Sequence, residues 1–280
     1  MKMNALLKTA IAAAAITSAL ILAGCGGDST STAAKSGAGS AKTYVVATRG
    51  TSKPLSYVDD KNVLTGFEPE LLREIEKRDP TIHFEFKPMA VDAAFVAMDA
   101  GQVDLIANQM RRSPSREQKY LITSEPNNYS VRRLVVKDNR DDIHSLQDLA
   151  GKKVAVTTNS EFKNMVEEFN ASHDNKITAI YTDKGPAETI NLVATGRADA
   201  SGEYEYTANL ARTDRKLPVK TVGDVLAVVP TYYIIKKDDA HQELVDKLNK
   251  ALKSMREDGT LKRISEKYLG ADYSADPSKK

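Results

Sequence analysis

The chain has 280 residues, 40 basic against 38 acidic side chains, a formal charge of +2 and a single cysteine. The basic residues form no long block, so nucleic-acid binding has no support. One cysteine excludes an intrachain disulfide, and His83, His144, His173 and His241 lie too far apart for metal-ligand spacing, so each reads as a surface or loop histidine and no metal or cofactor is expected.

Lys2 and Lys8 precede an apolar run over residues 10–23 that is short for a bilayer span. Leu22-Ala23-Gly24-Cys25 then closes the run, and it resembles a bacterial lipobox. That resemblance implies a signal peptide over 1–24, acylation of Cys25, export, and attachment to the cell membrane facing the periplasm or cell exterior. Residues 26–42 are small and polar, a flexible tether with a reach of roughly 20 to 25 Å.

Thr43 to Gly270 is the folded part, long enough for two modest cores. Tyr44-Val45-Val46-Ala47-Thr48 reads as a strand ending in the turn Arg49-Gly50-Thr51. Pro69 in a first turn, with Leu71, Leu72 and Ile75 on one face, predicts a helix that stops at Asp79-Pro80. Ile82 to Phe86 is the next strand, Asp92 the cap of a helix carrying Phe95, Val96 and Met98, and Leu105-Ile106-Ala107 a third strand. The order is β-α-β-α-β, a doubly wound unit.

The same grammar returns about a hundred residues later. Lys153 to Thr157 is a strand, Phe162, Met165, Val166 and Phe169 mark a helix, Ile177 to Tyr181 another strand, and Pro186 to Ala194 a helix with Ile190 and Val193 inward. Thr195-Gly196-Arg197-Ala198-Asp199 repeats the turn Ala100-Gly101-Gln102-Val103-Asp104, which favours an architectural repeat. Val131 to Val136, and Val225 to Val229 with Tyr232 to Ile235, are the expected crossings between lobes. Leu244, Leu248, Leu252 and Met255 predict a helix ending at Gly259, followed by another over Leu261 to Leu269. The expected organisation is an α/β fold of two doubly wound lobes joined by a hinge, lobe one over 43–131 plus 231–280 and lobe two over 132–230.

Ordered motifs over more than 200 residues carry a family resemblance. Leu64-Thr65-Gly66-Phe67-Glu68 resembles an L-T-G-F-D segment, Gly101-Gln102-Val103-Asp104 a G-x-V-D turn, and Ala107-Asn108-Gln109-Met110 with Pro114-Ser115-Arg116 and Lys119-Tyr120 an A-N-Q-x…P-x-R…K-Y run. Ser145 to Val154 resembles S-L-x-D-L-x-G-K-x-V, and Asp258-Gly259-Thr260 a closing D-G-T. The chain resembles the solute-binding lipoproteins that serve ABC importers of polar amino acids, cystine-binding members in particular, with a type II periplasmic binding protein fold. The resemblance implies that two lobes close on an amino acid and that a membrane permease receives it, with the protein acting as a monomer and not as an enzyme.

It also implies the site. Arg116 would take the ligand carboxylate, helped by backbone N–H groups around Arg111, next to Gln109 and Met110, and by those of Ser160 and Glu161 from the other lobe. Several family positions differ: Arg49 stands for an acid, Ser52 and Leu55 for aromatics, Val91 for a large side chain, and Tyr204 for the aspartate that clasps the α-amino group. Glu203 and Glu205 flank Tyr204, and a one-residue register shift would bring either into that role. Arg49 with Arg116 would favour a ligand with more than one negative group unless Glu161 or Glu203 neutralises one of them. Tyr57, Tyr129 and Tyr204 are candidates for stacking. Two alternatives stay open: a dehydratase-like enzyme on the same fold, with Glu161 or Glu203 as general acid or base, and a receptor or interaction lipoprotein that no longer binds amino acids.

Overall fold

The computed structural model describes residues 41–279; the expected signal peptide, Cys25 and nearly all of the tether lie outside them. The chain order is β1 (Lys42–Thr48), β2 (Thr51–Ser52), β3 (Ser56–Val58), β4 (Leu64–Thr65), α1 (Phe67–Arg78), β5 (Ile82–Pro88), α2 (Val91–Asp99), β6 (Leu105–Met110), α3 (Pro114–Lys119), β7 (Leu121–Ile122) and β8 (Asn128–Lys137). It continues with β9 (Lys153–Thr157), α4 (Glu161–Ser172), β10 (Thr178–Thr182), α5 (Pro186–Ala194), β11 (Ala200–Tyr204), α6 (Glu205–Thr213), β12 (Val219–Ile235), α7 (Asp239–Glu257) and α8 (Thr260–Leu269).

The main sheet runs β10-β9-β11-β8-β12-β6-β1-β5. In each half the first strand is central: β1 pairs in parallel with β5 and β6, as β9 does with β10 and β11. Each parallel trio is closed by an antiparallel neighbour, β12 on β6 and β8 on β11. The two closing strands also pair with each other, from Val219 opposite Lys137 to Thr231 opposite Asn128, with an irregularity between Val222 and Ala227. This antiparallel ribbon carries the chain between the halves. The second crossing is longer than the sequence suggested, because β12 begins at Val219 and residues 219–222 add a paired run before the irregularity.

Each half has apolar clusters on both faces of its sheet. In the first, Phe67, Leu71, Leu72 and Ile75 of α1 pack with Leu244, Leu248 and Leu252 of α7 and Leu261 and Ile264 of α8 on one side, while Ala94 and Met98 of α2 pack with Met110 and Tyr120 on the other. Tyr206 of α6 joins the first of these clusters. In the second half, Phe162, Val166 and Phe169 of α4 cover one face, and Ile190, Val193, Ala208 and Ala211 of α5 and α6 the other. Full burial of such a side chain contributes about 1.5–3 kcal/mol, so the i, i+3, i+4 stripes read from sequence are what attach these helices.

Three local expectations are corrected. Ala90 rather than Asp92 is the N-cap of α2, and it makes no side-chain cap bond. Val96 is 69% exposed, because α2 presents Ala94 and Met98 to the sheet. His241 is buried rather than on the surface, with Nδ1 2.5 Å from Asp238 Oδ1 and Nε2 2.9 Å from Asp104 Oδ1.

Candidate functional site

The end of β6 and the short helix after it place the arginines. Ser113 caps α3, its Oγ accepting the Arg116 amide at 3.3 Å, and Pro114 occupies the first turn. The Arg116 side chain folds back so that Nη1 donates to the Arg111 carbonyl at 2.7 Å, and its guanidinium stands 5.6 Å from the centre of the Phe95 ring. Glu117, the acid next to it in sequence, pairs instead with Arg112 at 2.9 Å. Among the described residues no carboxylate forms an ion pair with Arg116, and burial together with the Arg111 charge holds its pKa below the ordinary arginine value. It is a partly desolvated cation with unused donors.

Arg111, whose carbonyl Arg116 engages, faces the start of α4. Arg111 Nη1 lies 3.6 Å from Glu161 Oε2, and Arg111, Thr158, Asn159, Ser160, Glu161, Lys163 and Asn164 line an open cavity of about 460 Å³. Glu161 Oε2 is shielded from solvent and has no hydrogen-bond partner. Ser160 Oγ caps the helix by accepting the Lys163 amide at 3.1 Å and donates to the Thr157 carbonyl at 2.8 Å. The Ser160 amide is also spent on the Thr157 carbonyl, at 3.1 Å. This corrects the expectation that Ser160 offers its N–H to a ligand; Glu161, in the first turn, is the residue whose amide has no intrahelical acceptor.

Gln109 and Met110 connect this cavity to the sheet. Gln109 has φ 50°, and Met110 is 5% exposed with its side chain in the apolar cluster of α2, so at Met110 only the backbone is available to a ligand. Arg49 is exposed and lines a separate recess with Thr51, Pro88, Met89 and Ala90. Ser52 is half-buried in β2, its carbonyl accepting the Leu55 amide at 2.8 Å. The structure therefore brings Arg111, Ser160 and Glu161 into one cavity, which Arg116 adjoins through its bond to the Arg111 carbonyl, and it does not bring Arg49 there.

The acids around Tyr204 are already engaged. Glu205 pairs with Arg133 at 2.5 Å. Glu203 is 6% exposed and accepts the Thr189 hydroxyl at 2.5 Å; burial pushes its pKa up to about 7, opposed by that hydrogen bond and by the Arg132 charge. The Tyr204 ring stacks on Tyr206 at 5.5 Å and lies 4.5 Å beneath the Arg132 guanidinium, so both of its surroundings as a stacking platform are protein. Sequence reasoning missed Arg132, which is 6% exposed, donates to the Gly202 carbonyl at 3.1 Å and leaves a buried Nε without a partner. It also missed Glu68 as a buried acid; a charged residue in a helix otherwise apolar on that face was the available signal.

Two doubly wound lobes joined by an antiparallel ribbon, with a capped helix start facing an arginine of the other lobe, are the arrangement of a two-lobed binding protein. The chain belongs to the bacterial extracellular solute-binding proteins, family 3, which match residues 44–271. Among its relatives, the L-cystine-binding protein TcyK of Bacillus subtilis (strain 168) is 34% identical over 268 residues, covering 95% of this chain and 97% of that one. The crystal structure of the probable amino-acid ABC transporter extracellular-binding protein ytmK from Bacillus subtilis is 33% identical, with a TM-score of 0.75 over 82% of this chain and 98% of that one. The L-cystine solute receptor of Neisseria gonorrhoeae in its unliganded open conformation is 28% identical, with a TM-score of 0.72 over 84% and 95% of the two chains.

Proposed function

We propose that the protein captures a polar amino acid between its lobes, cystine-like before acidic, and delivers it to an ABC permease. The observation that carries this reading is Arg116, a half-buried guanidinium with no ion-pair partner among the described residues, held on the carbonyl of Arg111, which pairs with Glu161 at the α4 start. A carboxylate placed there would meet two-pronged, charge-assisted donors, and the first-turn amide of Glu161 would add a third.

The Arg111–Glu161 pair also bears on the ligand's charge. With Arg111 offset by Glu161 and Arg49 in another recess, Arg116 is left as the cation without an acid, which suits a ligand of no net charge better than a dianion. The exposed part of the Glu161 carboxylate would then meet a ligand ammonium, the role expected of an acid near Tyr204. The names of the relatives, L-cystine binders among them, support a cystine-like ligand. Binding across both lobes would favour a closed form by contacts that the open form lacks, and the permease would read that form.

In the same reading the protein is exported, anchored through a lipid on Cys25, held on the 26–42 tether and active as a monomer. The test is thermal unfolding against single amino acids, L-cystine and small dicarboxylates. A ligand at a hundredfold excess over its Kd adds about 2.7 kcal/mol and a rise of several degrees. Stabilisation by L-cystine supports the reading; stabilisation by dicarboxylates alone, or by nothing after ligand is stripped by unfolding and refolding, contradicts it.

A further inference from the structure

Glu68 is a buried carboxylate, at the start of α1, that the ligand reading leaves unused. It is 0% exposed, and its hydrogen bonds converge on the point where the chain leaves β6 for the cleft. Oε1 accepts the Gln109 backbone N–H at 2.9 Å and the Gln109 side-chain amide at 2.8 Å; Oε2 accepts the Asn127 amide at 3.2 Å. Asn127 Oδ1 in turn accepts the Thr231 hydroxyl at 2.6 Å, and Gln109 Oε1 accepts the Asn128 amide at 2.8 Å. Asn127 and Asn128 stand at the start of one crossing strand, and Thr231 lies on the other.

Gln109 has φ 50°, a left-handed conformation that a residue other than glycine keeps only where its surroundings over-determine it. Glu68 grips this residue twice, by backbone and by side chain. Two residues further on, the Arg111 carbonyl receives Arg116 Nη1. The conformation of Gln109 therefore sets the direction in which Met110 and Arg111 enter the cleft.

We propose that Glu68 is a positioning residue of the ligand site: by holding Gln109 in the left-handed conformation it fixes the Arg111 carbonyl and, through it, the Arg116 guanidinium. This role rests on the ligand reading above. Gln109→Gly removes the backbone cost of positive φ, because glycine adopts that region freely, and so uncouples the chain direction from Glu68.

The experiment compares the full chain with Glu68→Gln, Gln109→Gly and the double variant, by amide hydrogen exchange without ligand and by calorimetric titration with L-cystine. Glu68→Gln keeps the side-chain size but turns one acceptor into a donor facing Gln109 or Asn127. Exchange at residues 109–111 should quicken roughly tenfold in Glu68→Gln while β1 is unchanged. Affinity for L-cystine should fall roughly tenfold in the wild-type background and by less than about threefold in the Gln109→Gly background, the non-additivity expected of a coupled pair. Wild-type exchange at 109–111 in Glu68→Gln, or an equal loss of affinity in both backgrounds, overturns the proposal. Should the wild-type protein fail to bind L-cystine, the ligand reading falls, and the exchange result by itself decides whether Glu68 holds Gln109.

Discussion

Asp104 and Asp199 are structural counterparts in the two halves of the molecule. The Asp104 carboxylate accepts the Val45 amide at 2.7 Å while its own amide donates to the Val45 carbonyl at 2.9 Å; Asp199 does the same to Lys153 at 2.8 and 2.7 Å. Gly101 and Gly196, each at φ 72°, make the turns before them, and no side chain with a Cβ takes that conformation without strain. The second oxygen of each aspartate meets a side chain from elsewhere, His241 for Asp104 and Arg140 for Asp199. Each turn thus pins the end of a helix to the first strand of its lobe.

Asp104→Ala and Asp199→Ala should each destabilise by about 1–3 kcal/mol, the cost of stranding a paired backbone group. Asp104→Ala should cost more, because it also leaves buried His241 with one partner fewer. Urea unfolding of the two variants against the wild type measures both.

Carboxylates held low give the acid side of the stability profile. The His241 hydrogen bond, with Lys236 behind it, holds Asp238 down to about 2. Burial would raise Asp199, but hydrogen bonds from Arg140 and the Lys153 amide outweigh it and its pKa lies below the ordinary value. A depressed carboxyl contributes stability that is present above its unfolded pKa of about 4 and is lost as pH falls through the folded value. The melting temperature should drop between pH 5 and pH 2, and less so in Asp199→Asn.

Glu203 acts in the opposite sense. Its folded pKa, raised to about 7 by burial, makes its contribution fullest below about pH 4.5 and lost as pH rises through 7. Thr189, Arg132 and Tyr206 are the groups that face it. Glu203→Gln should flatten the decline in stability between pH 5 and pH 8. Melting curves across that range test this by their slope, since removing the charge near Arg132 also shifts the absolute level.

Gly202 on β11 lies beneath Phe162 of α4. A Cβ there would stand 2.2 Å from Phe162 Cδ2, so Gly202→Ala should cost about 1–3 kcal/mol by overpacking. Phe162→Leu in the same chain should recover part of the loss. Additive losses in the double variant would mean that the clash is relieved elsewhere.

Short-range signals were the legible ones. The α1 stripe, the α7 stripe and the paired turns are encoded within windows of a few residues, and of the residues that the family motifs named, Arg111, Ser160 and Glu161 line one cavity. What depends on distant partners was not legible. His241 is buried because Asp104, 137 residues away, meets it, and Glu68 is usable as a buried acid because Gln109 and Asn127 arrive 41 and 59 residues later. The engagement of Glu205 by Arg133 likewise follows from the packing of the α6 start beside β8, which no local pattern announces.

The most direct test of solute capture at this cleft is calorimetric titration of the wild type and Arg116→Ala with L-cystine. Arg116 makes no ion pair of its own among the described residues, so its removal should leave the ligand-free melting temperature within a few degrees. A lost charge-assisted hydrogen bond of about 1.5–3 kcal/mol should weaken binding by roughly 10- to 150-fold. Saturable one-to-one binding that weakens to this degree is the predicted result. Equal affinity in the two proteins, or no binding by a wild type freed of copurified ligand, would contradict the account.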